Sequence, residues 1–390
     1  MGTSFGKWFK LLWKNSFKVG FKHILKALAI TILTFFFSPL ILLEKLLFQK
    51  KIKKVSINRP PVFIIGHWRS GTTHLHNMLS KDESFVYPTI IEAIFPSIFL
   101  ASRGIISFLV NIFLPKTRPQ DKVKMNLSLP QEHEYALAAL SLYSPFIGLL
   151  FPNNRDSYLK YCSFEGVSKE EQKEWESIFL YYLKKLLWKK KTKQLLLKSP
   201  IDTYRIKILL KLFPNAKFIH IYRNPYEVFF SSKNLYRKNG KIVFLQTPKD
   251  SLDSFIFKMY VTMYDQFYEE IKGIPKGNFI ELSYEELTSD RLKTLEKIYR
   301  KLSLPGFKQA KKHFISYIET ITNYQKKTYT ISLADKKRIY SHWHMTIDRW
   351  GYEKPIDSQS QIPSEDILSY SIQRLSLRCF LDSKKPSKSS

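Results

Sequence analysis

The N-terminal part of the chain carries an apolar pattern that predicts membrane contact. Between residues 5 and 28, apolar side chains recur every three or four positions, which predicts one helix, and lysines recur every four positions on another face. The lysines are Lys10, Lys14, Lys18, Lys22 and Lys26. A basic helix with Trp and Phe on its apolar side is typical of a membrane interface. A core helix with solvated lysines is the alternative, and the uncharged stretch that follows disfavours it.

That uncharged stretch runs from Ala27 to Leu43, at the short end of the length needed for a membrane span. We expect Pro39 to break it. Lysines flank it on both sides, so the positive-inside rule gives no clear orientation. Because no small-residue cleavage site follows, we predict a permanent anchor rather than a secretory signal. Either a single span or a re-entrant monotopic segment fits this pattern.

A second apolar stretch, residues 90–114, is interrupted by only a few polar residues. It could line an entrance for an apolar acceptor or touch the membrane, and a buried pair of helices is an equally good interpretation.

From Arg59 onward the pattern alternates between short buried strands and helices. Strands are predicted at 62–66, 195–197, 218–222 and 278–282, and helices at 72–79, 169–190, 203–213, 225–238, 252–272 and 285–302. The alternation predicts an α/β fold, with a P-loop-like, mainly parallel central sheet flanked by helices. We therefore divide the chain into a membrane-associated helical segment (1–58), an α/β domain (59–383) and a disordered polar tail (384–390).

Composition supports a globular protein with an anionic partner. Of the 390 residues, 44% are hydrophobic and 25% are charged, and 63 Lys and Arg against 33 Asp and Glu give a net charge of +30. Such an excess favours nucleotides, nucleic acid or an anionic membrane. The basic residues are spread out and form no nucleic-acid module, which disfavours a nucleic-acid binder. Cys162 and Cys379 form no CxxC pair, so we expect neither a disulfide framework nor a metal site.

The first motif, GHWRSGTTH, begins at Gly66, directly after the first predicted strand. A turn of this kind offers backbone N–H groups, hydroxyls and a helix N-terminus to an anion. Gly66 and Gly71 have the spacing of a Walker A loop, but Thr72 and Thr73 stand where that loop needs Lys and Ser or Thr. A P-loop kinase or NTPase is therefore disfavoured, and Arg69 becomes the candidate cation.

The second motif, YRNP, begins at Tyr222 at the end of another predicted strand, and Ser231 follows on the next helix. Arg223 and Ser231 are separated by about two helical turns. A guanidinium and a hydroxyl suit a terminal phosphate. A simple helix cap is the alternative.

Together the two motifs resemble those of the sulfotransferases that use 3′-phosphoadenosine 5′-phosphosulfate (PAPS). In that family the first motif holds the 5′-phosphosulfate and the second holds the 3′-phosphate. The resemblance implies donor-binding roles for Arg69, Ser70, Gly71, Thr72, Thr73, Arg223 and Ser231.

Further stretches are similar to the bacterial-type branch with large or lipid-like acceptors, and the resemblance covers about residues 60–353. They read RPQD at 118–121, PQEHEYAL at 130–137, KSP at 198–200, FPNAKF at 213–218, SHWH at 341–344 and RWGY at 349–352. Two positions depart from that branch. His133 replaces a usual acid, and Asp202 stands where many relatives have His.

Sulfuryl transfer needs charge stabilisation and a base for the acceptor hydroxyl. We assign the first role to Arg69 and Lys198. Glu132 is the preferred base, Glu134 is next and His133 is also a candidate; each could equally be a solvated residue at a helix start. If Pro130 starts a helix, Glu132 and Glu134 diverge by about 200°, and only one can face the site.

The anchor and the apolar 90–114 stretch favour a lipid, glycolipid, prenylated or sterol-like alcohol as acceptor. Membrane lipids are then the expected partner, with no nucleic acid and no obligate protein partner. A carbohydrate acceptor in a Golgi-like lumen is the alternative, and a sequon at Asn126 fits it. We expect a cytoplasmic-facing catalytic domain, because PAPS is made in the cytosol of most cells.

Overall fold

The computed structural model describes residues 2–102, 104, 127–190, 193–322 and 328–355. Several predicted features lie outside these residues: the end of the second apolar stretch, the RPQD segment at 118–121, Asn126, Cys379 and the polar tail.

A five-stranded sheet forms the centre of the molecule, in the order β2-β3-β1-β4-β5. The strands are β1 (Val62–Ile65), β2 (Phe85–Val86), β3 (Gln194–Lys198), β4 (Lys217–Tyr222) and β5 (Phe279–Ser283). Every neighbouring pair is parallel, with Ile65 opposite His220 across β1 and β4. The predicted parallel α/β fold is confirmed. Strand β2 was not predicted, because two residues are too few to show a period.

Helices cover both faces of the sheet. They are α1 (Phe5–Lys14), α2 (Ile24–Lys53), α3 (Thr72–Leu79), α4 (Ile90–Ile94), α5 (Glu134–Ser141), α6 (Ile147–Leu150), α7 (Asp156–Leu159), α8 (Lys169–Lys190), α9 (Ile206–Leu212), α10 (Pro225–Val243), α11 (Leu252–Glu270), α12 (Tyr284–Ser289), α13 (Arg291–Lys301), α14 (Phe307–Thr320) and α15 (Leu333–Arg349). Short 3₁₀ turns include Phe21–His23 and Pro200–Tyr204. The helix predicted at 285–302 is two helices, because the Asp290 side chain accepts the Lys293 N–H and starts α13.

The prediction of one helix over residues 5–28 is wrong. Helix α1 ends at Lys14, and Ser16 and Phe17 take positive φ angles of 52°, which turn the chain before α2 begins. The predicted break at Pro39 is also wrong, because Pro39 lies inside α2. Packing of α2 against the domain on both sides of this proline offsets its cost of about 3 kcal/mol.

Successive residues of the strands alternate between two clusters of buried apolar side chains. In β1, Phe63 faces the larger cluster and Ile64 faces the smaller one. The larger cluster also contains Trp8 of α1 and Phe37 of α2. The N-terminal helices therefore share a core with the sheet, which fixes their position relative to it.

Candidate active site

Apart from Glu132 and Glu134, the predicted site residues lie at or after the ends of three neighbouring strands. Strand β1 lies in the middle of the sheet, between β3 and β4. After β1 the chain forms β2 and β3 on one side of it, and then crosses to form β4 and β5 on the other side. In open parallel sheets, ligands bind outside the carboxyl ends of the strands at such a switch of direction. The loops after β1, β3 and β4 meet there.

Two glycines allow the loop after β1 to approach its neighbours closely. Gly66 has a φ of 136°, and a Cβ there would lie 2.3 Å from the Ile221 carbonyl oxygen. Gly71 has a φ of 104°, and a Cβ there would lie 2.4 Å from the Tyr284 ring. Any larger residue would clash at either position, so the loop can take this shape only with glycine. The Gly66 N–H donates to Thr203 Oγ1 at 2.8 Å, which joins the loop to the turn after β3.

The rest of this loop turns back on itself and leads into α3. The Ser70 hydroxyl donates to the His67 carbonyl at 2.7 Å, and Arg69 takes a left-handed φ of 71°. Helix α3 begins at Thr72, and the first N–H groups of a helix have no acceptor within it. Backbone donors, hydroxyls and a guanidinium therefore lie together at the end of β1, an arrangement suited to an anion.

The two sequence motifs meet directly. Arg69 Nε donates to Ser231 Oγ at 2.8 Å, and Arg223 Nη1 donates to the Arg69 carbonyl at 3.4 Å. The Arg223 guanidinium is held by Glu227, with Nε 2.9 Å from Oε2, and lies 4.7 Å from the Tyr284 ring centroid. The two motifs are therefore in contact, and we call the site formed by Arg69, Arg223 and Ser231 the anion pocket.

Lys198 and Glu132 join this pocket from the β3 side. Lys198 is the last residue of β3 and its side chain is 2% exposed. Its Nζ lies 2.6 Å from Glu132 Oε1 and 3.2 Å from Thr73 Oγ1. A carboxylate, an ammonium group and a hydroxyl thus lie in contact beside the anion loop.

Glu134 points elsewhere. Its carboxylate receives two hydrogen bonds from Arg205, of 2.7 and 3.2 Å, and one of 2.6 Å from Ser144 Oγ. Both members of this ion pair are fully buried. The helix expected to start at Pro130 begins instead at Glu134. Glu132 therefore lies before the helix, and the expected angle of about 200° between the two glutamates does not describe them. Glu132 faces the pocket, and Glu134 does not.

The two departures from the related sequences contact each other. His133 Nε2 lies 3.2 Å from Asp202 Oδ2, and both side chains are fully buried. The His133 ring also stacks on Phe179. The imidazole and the carboxylate therefore form one buried pair.

Sequence reasoning missed three supporting residues. Thr203 anchors Gly66, Tyr284 packs under Gly71, and Glu227 holds Arg223. Only Glu227 carries a sequence signal, because it follows Arg223 by four residues at the start of a helix. Thr203 and Tyr284 lie far from Gly66 and Gly71 in sequence, and only the tertiary fold brings them into contact with these glycines.

The C-terminal SHWH and RWGY segments pack behind the site. The Trp343 ring stacks on Tyr260 at 3.7 Å, and the Tyr260 ring lies 4.9 Å from that of His67. The Trp350 ring stacks on Tyr222 at 4.3 Å, next to Arg223. These tryptophans thus support the two anion-binding loops from the side of the core.

The buried histidines near the anion loop favour their neutral form. Burial lowers the pKa of His67 and of His74 to about 4, and it lowers the pKa of His76 as well. These rings are therefore uncharged at neutral pH. Within the described ranges, no cluster of three or more His, Cys, Asp or Glu side chains could hold a metal ion.

Comparison with known proteins agrees with this arrangement. Residues 60–309 match the model of the Sulfotransferase family. The chain is 32% identical over 355 residues to the omega-hydroxy-beta-dihydromenaquinone-9 sulfotransferase Stf3 of Mycobacterium bovis and of Mycobacterium tuberculosis, covering 91% of each chain.

Two solved structures share the fold. Sulfotransferase STF9 from Mycobacterium avium superposes with a TM-score of 0.62 at 16% identity, covering 79% of this chain and 81% of the other. Sulfotransferase STF1 from Mycobacterium tuberculosis superposes with a TM-score of 0.61 at 15% identity, covering 87% and 91%. With the family match and the relatives, this shows that the chain belongs to the sulfotransferase family and is a sulfotransferase enzyme.

Proposed function

We propose that this enzyme transfers the sulfuryl group of PAPS to the hydroxyl of a lipid-like or other apolar acceptor at a membrane. The observation that carries the proposal is the 2.8 Å hydrogen bond between Arg69 and Ser231. It brings the two motifs, which are far apart in sequence, into direct contact, and this contact supports the proposal that both bind one nucleotide.

Each motif then has a separate task. The loop from Arg69 to Thr73 binds the 5′-phosphosulfate through its N–H groups, its hydroxyls and the start of α3. Arg223 and Ser231 bind the 3′-phosphate, with Glu227 fixing the guanidinium. On binding, the donor takes the place of the Arg69–Ser231 hydrogen bond.

The reaction is an in-line substitution at sulfur. The acceptor oxygen forms a bond to sulfur while the bond from sulfur to the bridging phosphate oxygen breaks. The acceptor proton passes to the Glu132 carboxylate, and the electron pair stays on adenosine 3′,5′-bisphosphate. Arg69 and Lys198 stabilise the charge that develops on the bridging oxygen. The contact between Lys198 and Glu132 keeps base and cation on adjacent sides of the reacting group.

The proposed acceptor class draws on the named relatives and on a cavity. Stf3, by its name, acts on a hydroxylated menaquinone, which is an apolar lipid. A cavity of about 350 Å³ is lined largely by apolar side chains, including Leu149, Leu159 and Phe255, and reaches His23 just before α2. Phe255 belongs to a buried cluster against which Trp68, the neighbour of Arg69, also packs. We assign the hydrocarbon part of the acceptor to this cavity and its hydroxyl to the site beside Arg69.

Donor binding is tested by calorimetry with adenosine 3′,5′-bisphosphate. Each lost charge-assisted contact costs about 1.5–3 kcal/mol, so Arg69→Ala and Arg223→Ala should each weaken binding roughly 10- to 100-fold. Lys272→Ala serves as the control, because Lys272 is exposed and lies outside the site. Tighter binding of ATP than of the bisphosphate would contradict the donor assignment.

Acceptor use is tested by incubating the purified enzyme with labelled PAPS and extracted membrane lipids. We expect label in the lipid fraction, and no label in the Glu132→Gln reaction. Labelling of soluble carbohydrate instead of lipid would support the Golgi-type alternative and refute the acceptor class.

A further inference from the structure

Helix α2 has two apolar faces, and the domain covers only one of them. The covered face includes Ala27, Thr34, Phe37, Glu44 and Ile52. The opposite face is exposed and includes Leu25, Leu28, Ile32, Phe36, Leu43 and Leu47. The exposed positions lie on one side because their spacing follows the 3.6-residue period of the helix.

The exposed apolar surface is concentrated here. Among the described residues, twenty large apolar side chains are exposed, and fifteen of them lie between Phe9 and Leu47. The set in this segment is Phe9, Trp13, Phe17, Phe21, Ile24, Leu25, Leu28, Ile32, Leu33, Phe35, Phe36, Leu42, Leu43, Leu46 and Leu47. A continuous patch of this size needs an apolar partner.

Contacts along the whole length of α2 hold it against the domain. Near its start, Lys26 Nζ donates to the Phe244 carbonyl at 2.9 Å. In its middle, the Phe37 ring packs on Phe95 at 5.9 Å. Near its end, the Phe48 ring packs on Trp188 of α8 at 5.1 Å. Helix α2 therefore lies flat on the domain for roughly 30 Å.

A buried charge makes this attachment hard to release. Glu44 forms an ion pair with Lys185 of α8 and accepts the N–H groups of Leu100 and Ala101 at 2.7 and 2.8 Å. Separating α2 from the domain would leave Lys185 without its partner and would expose the apolar core beneath. A helix that crossed the bilayer would have to carry α8 and this ion pair into the hydrocarbon.

We infer that the exposed face of α1 and α2 docks onto the surface of a lipid bilayer, with α2 lying in the plane of the membrane. Exposed lysines at both ends of the face, including Lys14, Lys22, Lys50 and Lys51, complement anionic lipid headgroups. An interfacial helix of this kind buries its apolar side in one leaflet. The inference deepens the proposed function, because His23 at the start of α2 lines the cavity assigned to the acceptor.

The first experiment measures flotation of the full-length protein with phosphatidylcholine vesicles, with and without phosphatidylglycerol. We expect binding that phosphatidylglycerol strengthens. Leu25→Glu combined with Leu47→Glu should weaken it by roughly tenfold or more, because two apolar side chains are lost from the contact. Leu333→Glu, at an exposed leucine far along the chain, is the matched control and should bind normally.

A second experiment distinguishes an in-plane helix from a spanning one. Leu25, Phe36 and Leu47 are 82%, 68% and 52% exposed, and each is replaced in turn by Cys in a Cys379→Ser protein. Leu25 and Leu47 are separated by about 33 Å along the helix, close to the thickness of the hydrocarbon core. Depth-dependent quenching of an attached fluorophore should give the same shallow depth at all three positions. A deep value at Phe36 between two shallow ends would overturn the inference in favour of a span.

A failure of this inference can be distinguished from a failure of the proposed function. If the protein fails to bind vesicles and instead forms a dimer that Leu25→Glu dissociates, a second copy covers this face and the inference is wrong. Binding of adenosine 3′,5′-bisphosphate is measured on the same proteins and should be unchanged in every one of them. Loss of nucleotide binding in the unmodified protein would contradict the proposed function and leave the vesicle result standing.

Discussion

Replacing Glu132 by Gln should lower catalytic turnover, and replacing Glu134 by Gln should lower stability, although only one residue separates the two positions. Glu132 contacts Lys198 beside the anion loop, so its loss should remove the proposed base and lower the turnover rate by about 10²- to 10⁴-fold. Glu134 is fully buried against Arg205, so its loss should act on folding instead.

The size of the stability defect follows from the contacts of Glu134. Removing one partner of a buried ion pair costs about 3–5 kcal/mol. Gln keeps one oxygen that can accept a hydrogen bond from Arg205, so we expect a loss of about 3 kcal/mol. Domains of this kind are typically stable by only about 5–15 kcal/mol, so such a loss is readily measured.

Urea denaturation and PAPS-dependent transfer, measured on both variants at a temperature where both are folded, check this prediction. A double variant, Glu134→Leu with Arg205→Met, should be less destabilised than Glu134→Gln, because it leaves no unpaired buried charge. The reasoning is refuted if Glu134→Gln unfolds normally and loses turnover, since Glu134 would then act as the base. Normal turnover in Glu132→Gln would remove that residue from the mechanism.

Three further results are expected. His133→Asp and Asp202→His should each lower the denaturation midpoint, and the double exchange should recover most of the loss; an additive loss would mean that the pair does not act as a unit. Leu149→Trp should raise the KM for long-chain acceptors and leave short-chain acceptors unaffected, with Leu333→Trp as control; an equal effect on both would argue against the cavity as a tail site. Burial lowers the pKa of His67 to about 4, below its ordinary 6.5, so the unfolded state takes up the proton first and stability should fall as the pH drops from about 6.5 towards 4. In His67→Asn that fall should be shallower, and an unchanged slope would show that other groups cause it.

The local chemistry of the site could be predicted from the sequence because each motif is nearly continuous. The turn from Gly66 to Thr73 and the segment around Arg223 each follow a short buried strand, and parallel strands end at one edge of their sheet. Both motifs could therefore be recognised from the sequence as candidate anion-binding segments, and their roles in binding stay predictions. The Walker-like spacing of Gly66 and Gly71 was visible in the sequence, but their close contacts with Ile221 and Tyr284 come from the tertiary fold.

The pairing of charged residues could not be predicted in the same way. Glu132, His133 and Glu134 are consecutive, yet their side chains contact Lys198, Asp202 and Arg205, which lie at the end of β3 and in the turn that follows. Which of the three faces the pocket depends on where helix α5 begins. Helix α5 packs against α8 and α4, and these tertiary contacts cannot be read from the local sequence.

In the N-terminal segment, too, the sequence predicted one property and the tertiary structure decided another. Its apolar composition predicted an element that contacts a membrane, but hydropathy is similar on every side of α2 and does not show which side the protein covers. Only the tertiary contacts, above all the buried pair of Glu44 and Lys185, distinguish the face that belongs to the core from the face that stays exposed. The sequence determined that residues 24–53 prefer an apolar environment, and the fold decided how much of it the protein itself provides.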